Sequence, residues 1–115
     1  MRRALYRAWR RMSQHTLRIT THQDEHDVRI TLEGRIAGPW ADELSRTWNE
    51  IQPVLGQRKL SLDIRNTTYA DGPSILVLRS IYTQTVAELI TSSPWTKYLA
   101  DEITRSRAKL HDEEN

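Results

Sequence analysis

The stretch KLSLDIRNTTYADGPS, residues 59–74, decides the fold of this chain. Its first part, KLSLDI at 59–64, alternates apolar and polar residues, which is typical of a strand with one buried face. The polar run 66–71 then predicts a loop. DGPS at 71–74 predicts the start of a helix, because aspartate is a good N-cap and proline fits the first helical turn. A strand followed by a short loop and a helix favours an α/β fold.

An antiparallel hairpin is predicted upstream of this stretch. The runs TLRITT at 16–21 and VRITLEG at 28–34 both alternate apolar and polar residues. The charged segment HQDEHD at 22–27 separates them and predicts a turn. Alternation of this kind predicts strands that bury one face and expose the other to water.

Helices and one more strand complete the predicted domain. Gly38 followed by Pro39 predicts one helix start, and Ser93 followed by Pro94 predicts another. From the hairpin onward the predicted order is a helix from Pro39 to Pro53, the strand 59–64, a helix over 75–86, the strand 87–91 and a helix from Pro94 to Ile103. The fold class is therefore α/β: an N-terminal antiparallel hairpin, about four strands in a mostly parallel sheet, and three helices packed mainly on one side.

The composition bounds the function. The 115 residues include no cysteine, which excludes disulfide frameworks, thiolate zinc sites and cysteine nucleophiles. Five of the 17 Lys and Arg lie in residues 1–12, which contain no acidic residue. Without those five, 12 basic residues face 15 acidic ones, so the basic character belongs to the first 12 residues. Nucleic-acid binding by the body of the domain is therefore not expected.

The chain divides into three predicted parts. Residues 1–12 are predicted to be a basic leader, either disordered or an amphipathic helix that contacts a membrane surface peripherally. Residues 16–104 form the predicted domain, and 105–115 a polar tail. Because no apolar run approaches the ~20 residues of a membrane span, a cytoplasmic protein is expected.

The side chains predict no catalytic centre, no metal site and no cofactor. His22 and His26 are four residues apart, but they fall in a predicted turn with no third ligand at a suitable spacing. The chain also has no glycine-rich phosphate loop and no G-x-S-x-G motif. Acidic pairs such as Asp42 and Glu43 lie on predicted helix surfaces, where carboxylates are usually solvated. We expect a non-enzymatic protein.

Among the tryptophans, Trp48 is predicted to be a core residue. Trp40, near a helix start, is also predicted to be in the core, with an exposed anchor for a partner as the alternative.

Two segments together resemble a known family. The patterns LEGRIAGPWADEL at 32–44 and KLSLDIRNTTYADGPSILVL at 59–78 are similar to those of STAS domains, the fold of anti-sigma-factor antagonists. LDI at 62–64 matches the family's hydrophobic-Asp-hydrophobic strand end. YADGPSI at 69–75 falls where the family has an apolar pair followed by Asp-Ser-Ser-Gly-Leu. The resemblance implies a protein-binding module in bacterial signalling that regulates transcription.

The resemblance covers residues 17–103, a shortened version of the domain, and it implies a partner-binding surface. In the family a partner kinase phosphorylates the serine directly after the aspartate, which controls docking on an anti-sigma factor. Here Gly72 stands at that position, so the standard serine switch is not expected. Ser74 is the nearest candidate phosphoacceptor, with Thr67 and Thr68 as alternatives, and a constitutive binder is equally consistent. The residues assigned to partner binding are Asn66, Thr67, Thr68, Tyr69, Asp71, Gly72, Pro73 and Ser74.

Other functions fit the same sequence. One is a small STAS subunit of a lipid-transport ABC system, which would bind the transporter ATPase. Another is a nucleotide sensor that binds its ligand at the helix start beside Asp71. A third is nucleic-acid binding through residues 1–12.

Overall fold

A computed structural model describes residues 3–7 and 17–105 of the chain. Five strands and three helices alternate in the order the sequence predicts, except for an additional first strand. Their bounds are β1 Arg3–Arg7, β2 Leu17–Gln23, β3 Asp27–Ile36, α1 Pro39–Leu55, β4 Lys59–Ala70, α2 Gly72–Thr85, β5 Glu88–Ile90 and α3 Pro94–Thr104.

The strands form one mixed sheet in the order β1-β2-β3-β4-β5. β2 and β3 form the predicted antiparallel hairpin, while β3, β4 and β5 run parallel. The α/β class and the four predicted strands are therefore confirmed. β1 pairs antiparallel with β2, Arg3 opposite Gln23 and Arg7 opposite Ile19. The prediction of a disordered or helical leader is thus wrong for Arg3–Arg7, because the sheet edge offers those residues backbone partners.

The core lies between one face of the sheet and the three helices. The apolar residues of β2, β3 and β4 line one buried face of the sheet, and the polar residues between them are mostly exposed, with Thr20 and Asp63 as buried exceptions. α1 packs over β3, α2 and α3 pack over β4, and α2 lies between the other two helices. The fully buried side chains include Ile19, Ile30, Leu32, Leu44, Leu62, Ile64, Leu78, Ile81, Leu99 and Ile103.

The predicted loop 66–71 is mostly strand. β4 continues to Ala70, and β3 continues beyond Gly34 to Ile36, so the two strands pair along a much longer line than predicted. Their register shifts twice, between Thr31 and Glu33 and between Gly34 and Arg35. Each shift places one extra residue in β4, which breaks the alternation in β4 on which a sequence-based strand prediction depends.

The remaining boundaries differ by a few residues. The hairpin turn is shorter than predicted, because Asp24 Oδ1 accepts hydrogen bonds from the backbone N–H groups of His26 (2.9 Å) and Asp27 (2.8 Å). α1 continues through Pro53 for two more residues. α2 begins at Gly72, directly after its predicted N-cap Asp71, and ends at Thr85, one residue before the predicted end.

Trp40 and Trp48 are both buried in the core, 4% and 5% exposed, which confirms the core prediction for both and excludes Trp40 as an exposed anchor. In the part of the chain described, no helix has the length and apolar character needed to cross a membrane. Residues 106–115 of the predicted tail, and residues 1–2 and 8–12 of the predicted leader, lie outside the described residues.

Candidate functional site

Three helices begin at the same edge of the sheet. α1, α2 and α3 each follow a parallel strand, so their N-termini meet at the carboxyl edge of β3, β4 and β5. In open α/β sheets this edge is where functional sites usually lie. Ser93 caps α3, as predicted, by accepting a hydrogen bond from Thr96 N–H at 3.1 Å.

A single carboxylate joins the other two helix starts. Asp71 Oδ1 accepts hydrogen bonds from the backbone N–H of Ser74 at 3.0 Å and from the Ser74 hydroxyl at 2.5 Å. Its Oδ2 accepts from the backbone N–H of Gly38, the residue before α1, at 3.1 Å. The predicted cap is therefore confirmed, and it also fixes α1 against α2. We call Asp71 with the donors of Gly38 and Ser74 the Asp71 clamp.

The Asp71 clamp keeps its carboxylate ionised. Burial of the side chain raises the pKa of Asp71, but the hydrogen bonds from the Ser74 hydroxyl and the two backbone N–H groups outweigh it and lower the pKa. A negative charge therefore already occupies donors at both helix starts. Because the carboxylate would repel a phosphate group at that place, the clamp disfavours nucleotide binding there.

The residues assigned to partner binding divide into exposed and buried sets. Thr67 and Ser74 are buried, 2% and 0% exposed, and Asp71 is half-buried. The Thr67 hydroxyl donates to Leu32 O. The single proton of the Ser74 hydroxyl is shared between Asp71 Oδ1 and Ile36 O, the latter 2.9 Å from the hydroxyl oxygen. The exposed members are Asn66, Thr68, Tyr69, Gly72 and Pro73.

Burial bears directly on the candidate phosphoacceptors. Ser74 presents no exposed hydroxyl, because its side chain is completely buried within the Asp71 clamp. Thr67 is equally enclosed between β3 and β4. Of the three candidate hydroxyls, that of Thr68 is exposed.

α3 contributes a residue that the sequence did not assign to the site. Trp95 Nε1 donates to Thr67 O at 2.8 Å. Its indole therefore lies at the edge of β4, beyond the residues of β4 that pair with β5. Tyr98, 56% exposed, lies next to it with ring centroids 6.0 Å apart. The spacing of Trp95 and Leu99 predicted a buried helix face, but nothing local indicated that Trp95 reaches the strand end.

No protein-family model matches the chain, and no curated protein matches it.

Two exposed apolar side chains lie beside the clamp. Leu76 is 59% exposed one turn into α2, and Tyr69 is 40% exposed at the end of β4. A single exposed leucine is common on protein surfaces. Leu76 differs because it lies on a helix whose start is held in place by Asp71. The carboxyl edge thus combines a rigid framework with apolar groups that face water, as protein-binding surfaces do.

The opposite edge of the sheet has a different character. Two clefts of about 480 and 410 Å³ lie there, both lined by Asp27, Ser61 and Glu88. His22 and His26 lie at this end, exposed, in β2 and in the hairpin turn. Within residues 17–105 no three metal-ligating side chains come together, these two histidines included.

Proposed function

We propose that the chain is a non-enzymatic regulatory module that binds a protein partner, similar to the anti-sigma-factor antagonists. The binding surface would be the carboxyl edge of the sheet, around the end of β4 and the first turns of α2. The observation that carries this proposal is the exposed Leu76 on a helix start held rigid by the Asp71 clamp. A preorganised apolar surface binds without a large cost in conformational entropy.

The fold supports the same proposal. A sheet with an antiparallel hairpin, parallel strands and helices on one side is what the STAS resemblance implies. The burial of Ser74 favours a module that binds without serine phosphorylation at this position. A role of this kind would place the protein in the cytoplasm.

A pair of matched variants tests the proposal. Leu76 and Val54 are both 59% exposed on helices, Leu76 near the carboxyl edge and Val54 near the opposite edge. We would purify tagged wild type, Leu76→Arg and Val54→Arg from the native host and quantify co-purifying proteins by mass spectrometry. We expect Leu76→Arg to reduce recovery of the specific partner at least about tenfold, because exposed apolar anchors dominate interfaces. Val54→Arg should leave recovery unchanged.

The identity of the partner separates the alternatives. An anti-sigma factor or its kinase would support the antagonist role, whereas a transporter ATPase would make the ABC subunit the answer. Equal recovery with both variants would contradict the proposed surface. A thermal shift on addition of GTP or ATP would instead support the nucleotide sensor.

A further inference from the structure

Arg35 lies on the face of the sheet opposite the three helices. Its guanidinium lies over the ring of Tyr69, 4.4 Å from the centroid, on adjacent strands and in direct register. Both side chains are exposed. Among the described residues Arg35 has no carboxylate or carbonyl partner, whereas most other arginines do: Arg18 pairs with Glu33, Arg65 with Asp63, and Arg58 and Arg79 donate to carbonyls.

Stacking on an aromatic ring prepares a guanidinium for an anion. The ring attracts the cation through its face and holds the plane of the group, while the N–H donors at its edge stay available. A planar donor fork of this kind matches a carboxylate through two parallel hydrogen bonds. Less side-chain entropy is then lost when the anion arrives.

The charge around Arg35 also favours an acidic ligand. Residues 34–36 and 64–70, which form the carboxyl ends of β3 and β4, include Arg35 and Arg65 and no acidic residue. The positive ends of the α1 and α2 dipoles follow within a few residues. The nearest acidic residue in sequence, Glu33, is paired with Arg18 at 3.7 Å. Asp71 already accepts from the backbone N–H groups of Gly38 and Ser74.

We propose that Arg35, held over Tyr69, is a carboxylate-binding site that receives an aspartate or glutamate side chain from an acidic segment of a protein partner. The assignment of the anion to a protein rests on the proposed function. The chemistry of the site does not, and it can be tested without the native partner.

The test is an NMR titration of the ¹⁵N-labelled full chain with end-capped hexaglutamate, and with hexaglutamine as the neutral probe. We expect saturable shifts of the Arg35 Nε–H and the Tyr69 amide with hexaglutamate alone. Arg35→Gln should weaken binding about tenfold, since a charge-assisted hydrogen bond is lost. Arg29→Gln is the matched control: Arg29 is exposed on the same face of β3, about 20 Å away, and the variant has the same net charge.

Variants of Tyr69 separate preorganisation from charge alone. Tyr69→Phe should retain binding because the ring remains, whereas Tyr69→Ala should weaken it severalfold. Spectra of each variant report whether the fold is intact.

Several outcomes would overturn the inference. Equal weakening by Arg29→Gln and Arg35→Gln would show that hexaglutamate is held only by diffuse electrostatic attraction. Equal binding of hexaglutamine would show that the site does not recognise a carboxylate. Inorganic phosphate that binds Arg35 more tightly than hexaglutamate would assign the site to phosphate. If hexaglutamate binds as expected but Leu76→Arg still recovers the native partner, the carboxylate site is supported and the proposed binding surface is contradicted. If Leu76→Arg loses the partner but hexaglutamate does not bind, only the carboxylate site is contradicted.

Discussion

At the carboxyl edge of the sheet a carboxylate holds two helix starts together, whereas at the opposite edge a guanidinium holds one helix end to a turn. Asp71 accepts from the N–H groups that precede and begin helices, those of Gly38 and Ser74. Arg58 donates to the last carbonyls of α1, Val54 O at 2.6 Å and Leu55 O at 3.1 Å. It also donates to Asp24 O in the hairpin turn, at 3.1 Å.

The difference follows from the direction of the helices. A helix begins with unpaired N–H groups and ends with unpaired C=O groups, so its start needs an acceptor and its end needs a donor. In a parallel βα fold every start lies at one edge and every end at the other. One acidic residue at the first edge and one basic residue at the second therefore satisfy several orphan groups each.

The largest expected effect is loss of the acceptor at the carboxyl edge. Asp71→Ala leaves the backbone N–H groups of Gly38 and Ser74 without their acceptor and removes the cap of α2, while the Ser74 hydroxyl keeps Ile36 O as its acceptor. We expect the free energy of unfolding to fall by about 2–3 kcal/mol, measured by urea denaturation with tryptophan fluorescence. Asp42→Ala, which removes an exposed acid from the first turn of α1, should cost less than about 1 kcal/mol. Equal losses would mean that Asp71 acts only through its charge.

Loss of the donor at the opposite edge should cost less. Arg58→Met keeps most of the aliphatic stem but removes donors to three carbonyls. We expect unfolding free energy to fall by about 1–2 kcal/mol in the same assay, because water can reach helix-end carbonyls near the surface. Arg46→Met is the control, since Arg46 makes a surface contact of 4.0 Å with Glu43, and it should change little. If Arg58→Met lowers the unfolding free energy as much as Asp71→Ala does, the two edges contribute equally to stability and the expected difference between them is wrong.

The opposite edge also contains a strained residue whose replacement should stabilise the protein. Val86 ends α2 in the left-handed region, at φ 56° and ψ 46°, and is 73% exposed. Asparagine tolerates this conformation better than a β-branched residue, so Val86→Asn should raise the unfolding free energy by about 0.5–1 kcal/mol. Val54→Asn, exposed on a helix with ordinary geometry, should not. If Val86→Asn is less stable than wild type, the valine side chain stabilises the fold by more than its left-handed backbone conformation costs.

The smallest effect concerns pH. The pKa of Asp71 is lowered in the folded state, so its contribution is complete above the ordinary aspartate pKa of about 3.9 and is lost as the pH falls through the lower folded value. Wild type should therefore lose stability between pH 5 and pH 2 more steeply than Asp71→Asn, measured by urea denaturation across that range. Both proteins should still lose some stability, because the Arg65 guanidinium also lowers the pKa of Asp63. Identical slopes would mean that the clamp does not favour the ionised carboxyl.

Local chemistry allowed most of the fold to be predicted. The hairpin follows from alternation in two short runs, and the starts of α1 and α3 follow from Gly38-Pro39 and Ser93-Pro94. The N-cap role of Asp71 was equally visible, because the interaction with Ser74 spans three residues. Each of these features depends on groups that are neighbours along the chain.

The candidate site was predictable only in part, because its contacts are distant in sequence. Asp71 meets Gly38 across 33 residues, Trp95 meets Thr67 across 28, and both pairs depend on how the strands align. The polar run 66–71 was predicted to be a loop because two register shifts interrupt the alternation of β4, yet β3 pairs with it as far as Ala70. Ser74, which looked like an available hydroxyl, is enclosed by Ile36 and Asp71.

The sequence by itself determined the α/β class, the order of the elements and the helix starts, since hydrophobic periodicity and capping act over a few residues. The tertiary structure alone decided the length of β4, the burial of Ser74 and the placement of Arg35 over Tyr69. Those features depend on which strands lie side by side and in what register, and the register is set by packing of the whole sheet against its helices.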